Sequence, residues 1–136
     1  MSLAVVLPRG LEGLAAPLVR VEAHVGNGLP AFHVVGLAET EVKESRDRVR
    51  AALATSGFEF PQRRVTVSLA PADLPKESGR FDLPIALGLL AATGQVPATA
   101  LADTEFGGEL ALSGGLRPSR GSLPMAAASR RDGRAF

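Results

Sequence analysis

Lys76, Ser78 and Arg80 stand within five residues of one another in the stretch APADLPKESGRFDLP, residues 70–84. A serine hydroxyl beside an amine can act as a nucleophile and base pair when burial lowers the lysine pKa. Two residues apart in a loop, however, Lys76 and Ser78 usually point different ways. Cations just ahead of a helix can instead hold a phosphate. The plainest alternative is structural: Pro71, Pro75 and Pro84, with Asp82, set the start of the apolar helix that follows.

The other candidate chemistries are weaker. A phosphate-binding loop of the nucleotide-triphosphatase kind needs a Gly-Lys-Ser/Thr run, and neither Lys43 nor Lys76 follows a glycine. GNG at 26–28 and GG at 107–108 lack the third glycine and the helix of a dinucleotide fingerprint, and read as a turn and a bulge. His24 and His33 sit in strand-like segments with no second histidine at helical spacing and no cysteine in the chain, so they read as locally hydrogen-bonded histidines. The pairs Glu39 and Glu41, and Asp73 and Glu77, read as surface charges.

The elements that must position these residues follow from periodicity. Residues 3–7 and 18–25 alternate apolar and polar positions as half-buried strands do, GNGLP at 26–30 is a turn, and AFHVV at 31–35 is a third strand. From Glu39 the period changes to helical, with Val42, Val49, Ala52 and Leu53 on one face and Gly57 as the C-terminal cap. RVTVSLA at 64–70 is a strand. Residues 82–94 form a helix apolar on nearly every side and therefore buried, with Asp82 as its N-cap and Gly94 ending it. EFGGELAL, SGGL and RPSRG read as strand, tight turn and short strand, and a last helix runs to Gly133. Together they predict an α/β or α+β domain, a mixed sheet packed with helices. Arg134, Ala135 and Phe136 read as the start of a further strand, as in a fragment of a longer protein.

Composition narrows the function. At 136 residues the chain can enclose a core without staples, and zero cysteines exclude thiol catalysis, disulfides and cysteine zinc sites. No apolar run approaches the roughly 20 residues of a membrane span, and the N-terminus lacks a secretory pattern, so the expected setting is the cytoplasm, away from membranes. The formal charge is +1, but of 15 basic residues all except Lys43 and Lys76 are arginine. That bias suits bidentate contacts to phosphate or carboxylate, and a GC-rich genome produces it equally. Six phenylalanines with no tyrosine or tryptophan argue against a base-stacking surface.

Three segments taken together are specific: GLAETEVKESRDRVRAA, APADLPKESGRFDLPIALG and GELALSGGLRP. In these the chain resembles, along nearly its whole length, the N-terminal domain of the ComM/YifB family of bacterial magnesium-chelatase-like AAA+ ATPases. The resemblance implies a Lon-like domain over residues 1–136, with a ribosomal-protein-S5-domain-2-like fold similar to the proteolytic domain of Lon. It implies that an AAA+ module, holding ATP and Mg2+, and a C-terminal chelatase-type domain follow. It further implies a hexameric motor acting on DNA in branch migration during natural transformation, with this domain holding no cofactor or metal and catalysing nothing itself. Lon-type domains carry a serine before the buried helix and a lysine at the head of the last one. Here Gly79 or Arg80 stands at the first place and Leu123 at or beside the second, so both dyad members are missing. Ser78 would be a shifted nucleophile, with no lysine after Lys76 to serve it. By this resemblance the candidate DNA contacts are Lys76, Arg80, Arg63 and Arg64, with Arg46 and Arg50 on a second surface. The alternatives are a chelatase accessory domain working through protein contacts and a Ser/Lys peptidase.

Overall fold

The structure, a computed structural model, describes residues 2–76 and 79–136. The elements run β1 (Ser2–Val6), β2 (Arg20–Gly26), β3 (Ala31–Val35), α1 (Glu39–Thr55), β4 (Arg64–Ala70), α2 (Asp82–Ala92), β5 (Glu109–Leu110), β6 (Leu116–Arg117) and α3 (Ser122–Arg131). Short 3-10 turns at Gly79–Phe81 and Ala98–Leu101 carry no periodic signal and were not expected from the sequence.

Four strands form a mixed sheet in the order β1-β2-β4-β3. β1 and β4 run antiparallel to β2, and β3 runs parallel to β4 through the α1 crossover. Alternation decides which face is buried: Ala4 and Val6, then Val21, Ala23 and Val25, then Val65, Val67 and Leu69 all point to the helices. α2 lies across β1 and β2, and α1 packs beside it over β3. α2 has eight of its eleven residues buried, which is why its apolar pattern has no polar side. Gly88 lets α2 approach β2 closely, since an added methyl would lie 3.0 Å from Ala23 Cβ. The opposite sheet face carries Leu3, His24, Thr66 and His33 in one cross-strand row, all half-buried or exposed.

The three helices end alike. At α1, α2 and α3 a glycine of positive φ (Gly57, Gly94, Gly133) follows the last turn, and the next amide returns to a carbonyl five residues back: Phe58 to Leu53, Gln95 to Leu90, Arg134 to Ser129. The hairpin after α2 is shorter than the alternation in EFGGELAL suggests, two residues a strand, because Gly107 and Gly108 supply no side chains to pack. In the tail, Ala135 forms a parallel bridge with Thr104.

Beneath α3 lies a smaller core of Ala16, Met125, Ala128 and Leu11, and beside it a buried ion cluster. Arg9 Nε donates to Glu105 Oε1 at 2.6 Å and its Nη2 to Oε2 at 3.0 Å, while Arg134 Nε donates to Oε2 at 2.6 Å and Asp132 takes the second side of Arg9. The cluster ties the segment after β1 to the chain's last residues.

Candidate functional site

Asp82 organises the loop ahead of α2. It is not the N-cap expected from the sequence: it is the first helical residue, and its side chain makes no capping bond. Its carboxylate is fully buried and turns across the domain, accepting from Ser45 Oγ at 2.7 Å, Arg48 Nε at 2.6 Å and Nη2 at 3.2 Å, and the Leu110 amide at 3.1 Å. A guanidinium and a hydroxyl from α1 outcompete local amides, because charge-assisted bonds away from water are the stronger ones. Asp82 thus clamps α1, α2 and β5 together. Hydrogen bonding to Asp82 and nearby acidic charge outweigh burial and hold Arg48 firmly protonated.

The backbone completes the clamp. Gly108 N donates to Arg80 O at 2.8 Å and Leu83 N to Gly108 O at 3.0 Å. A methyl at Gly79 would press on the Glu109 side chain and on Arg48 Nη2, both of which would have to shift. Ser78, weighed above as a shifted nucleophile, lies outside the described residues.

Lys76 and Arg80 do not sit as surface phosphate contacts. They are only 5% and 8% exposed. Lys76 Nζ donates to the carbonyl oxygens of Pro71 and Leu74. Burial pushes its pKa down, against the through-space attraction of Asp73. Both residues line a cavity of about 840 Å³ reached between the turn at 10–14 and the head of α3.

The other four cations gather elsewhere. Arg63 and Arg64 are exposed at the start of β4, and no carboxylate among the described residues pairs with either. Arg50 stacks over Phe60, 4.9 Å from the ring centroid, and over Phe32 at 5.8 Å. The two rings are 5.1 Å apart. Arg46 Nη1 donates to Phe32 O at 3.0 Å. β3 lies beside β4 here, with Ala31 opposite Arg64. The four arginines therefore share one edge of the domain. β4 spans about 20 Å at 3.3 Å per residue and separates this edge from Lys76 and Arg80 at its far end. The six candidate cations fall into two groups.

Sequence reasoning missed Arg9, Ser45, Arg48 and Glu105. Nothing in their spacing distinguishes a charge that turns inward from one on a solvated helix face. Among the described residues no three His, Cys, Asp or Glu side chains converge as a metal site would require, and no helix is long and apolar enough to cross a membrane.

A mixed sheet with α1 and α2 on one face makes this an α+β protein. Residues 21–136 match the family described as Subunit ChlI of Mg-chelatase, and the chain belongs to that family. It is 54% identical over 134 residues to the Competence protein ComM of Haemophilus influenzae and 54% identical to the Uncharacterized protein YifB of Salmonella typhimurium. Against the Uncharacterized protein Rv2897c of Mycobacterium tuberculosis it is 41% identical over 133 residues. Each match covers 98% of this chain and 26% of the relative, so the chain spans about a quarter of the length of these proteins.

Proposed function

We propose that this chain is a non-catalytic N-terminal domain of a ComM-like AAA+ ATPase working on DNA in the cytoplasm, where it assists assembly of a hexameric ring and guides DNA. The match to a competence protein supports the DNA setting. The observation that carries the DNA contact is the arginine edge: Arg63 and Arg64 exposed without acidic partners among the described residues, beside Arg46 and Arg50. Such guanidiniums neutralise phosphates regardless of base sequence. Lys76 and Arg80, buried at the other end of β4, are reassigned away from this contact. ATP and Mg2+ belong, on this reading, to the part of the longer relatives beyond this domain, because no Gly-Lys-Ser/Thr run is present here. The loop before α2 is a clamp with no peptidase function: casein hydrolysis that disappears in Ser78→Ala would overturn that assignment.

The DNA contact is tested by fluorescence anisotropy of labelled single-stranded and four-way branched DNA across a salt series. Arg63→Ala/Arg64→Ala removes two phosphate contacts and makes the log–log salt slope shallower by about 1.5. Lys76→Ala/Arg80→Ala leaves the slope unchanged. The opposite ranking would return the DNA site to the loop. Absence of salt-sensitive binding, even when copies are linked to supply avidity, would favour an accessory domain acting by protein contacts alone.

A further inference from the structure

The cavity beside α3 has a composition that neither the arginine edge nor the Asp82 clamp explains. Its volume, about 840 Å³, is in the range of built ligand pockets. Lys76, Arg80 and Arg120 bring three cations to its wall, and among the described lining residues Glu41 is the one carboxylate. Lys76 is the most informative of the three. Its ammonium is nearly out of water, yet among the described residues it forms no ion pair and is held by two backbone carbonyls. An ammonium so desolvated, with Asp73 attracting it only through space, is costly to keep charged, and an anion arriving in the cavity would offset that cost.

The rest of the wall is apolar. Leu11, Phe81, Pro75 and Pro124 line it. Leu14, on the turn at 10–14, is 94% exposed, and Leu123, between the wall residues Gly121 and Pro124, is 81% exposed. Leu14 offered to solvent at the cationic wall, with Leu123 exposed on the α3 segment that borders it, suits an occupant that is acidic and apolar at once. A nucleic acid backbone would gain nothing from the leucines, and a free phosphate would leave most of the volume unfilled.

We infer that this cavity is a docking site for an acidic peptide segment, whose carboxylate sits against Lys76, Arg80 and Arg120 and whose apolar side chains cover Leu14 and Leu123. Carboxylate pairing with arginine sets the position, and leucine burial supplies affinity. This role is separate from DNA guidance at the arginine edge.

The test uses the 136-residue chain and a short fluorescein-labelled peptide of leucine, aspartate and glutamate, with a matched peptide of leucine, asparagine and glutamine. Binding of the acidic peptide alone is expected. Arg120→Glu weakens it at least tenfold, and Leu14→Ser/Leu123→Ser weakens it about tenfold. All three substituted positions are exposed, so an unchanged circular dichroism spectrum and urea midpoint are expected and separate loss of binding from loss of fold. Arg63→Ala/Arg64→Ala leaves peptide binding intact. Equal binding of the amide peptide, or none of the acidic one, overturns the inference. So does displacement by equimolar inorganic phosphate with the leucine variant silent, which would mark a simple anion pocket. Concentration-dependent self-association abolished by the leucine variant would overturn it in favour of a second copy of the chain.

Discussion

Removing the Glu105 carboxylate is the sharpest test of how the ends of this chain are held. Glu105 is 1% exposed and lies between the guanidiniums of Arg9 and Arg134, with three hydrogen bonds of 2.6 to 3.0 Å. Glu105→Ala leaves Arg9 buried without its main partner. Truncating one member of a buried pair costs about 3–5 kcal/mol, and because Asp132 and the Ala16 carbonyl still hold Arg9, the lower end applies, about 3 kcal/mol. With an unfolding entropy of about 2.1 cal/mol/K per residue, that loss lowers Tm by roughly 10 °C. Urea denaturation followed by circular dichroism measures it, with m unchanged because the surface exposed on unfolding is the same.

The charge-free pair Arg9→Met/Glu105→Leu should be more stable than Glu105→Ala, since no ion is then stranded. The pH dependence is also determined. Burial pushes the Glu105 pKa up, but the hydrogen bonds from Arg9 and Arg134 prevail and hold it below the ordinary glutamate range. Its folded pKa is thus below its unfolded one, so the stabilisation is present at neutral pH and is lost as the pH falls through the ordinary glutamate range and below. Glu105→Gln should flatten that acid limb. A loss under about 1 kcal/mol in Glu105→Ala, or a double variant whose cost is the sum of its singles, would refute the reasoning.

Three further outcomes follow from the same geometry. Asp82→Ala strands Arg48 and the Leu110 amide and should cost about 3 kcal/mol by urea midpoint, whereas Asp82→Asn keeps an acceptor and should cost less. Gly36→Ala combines a φ of +97° with overlap of the Leu69 carbonyl, and should leave little folded protein in a thermal melt. Gly57→Ala, at φ +84° with open space around it, should cost only about 1 kcal/mol by the same melt.

Much of the architecture was legible in the sequence. The alternation in RVTVSLA and AFHVV and the helical period after Glu39 are local properties of the chain, and β4, β3 and the start of α1 fall where those periods place them. The glycines that end the helices were legible too, because a positive φ is a local demand. What the sequence could not show was the direction in which a charge turns. Lys76 and Arg80 read as candidate DNA contacts and are buried; Asp82 reads as a cap for its own helix and instead binds α1 and β5. Arg9 and Glu105, 96 residues apart, carry no mark of their pairing. A helix or strand period depends on neighbours along the chain, whereas the partner of a buried charge is chosen by which elements pack together. The composition of the peptide cavity, and its separation from the arginine edge by the length of β4, were therefore decided by the tertiary structure alone.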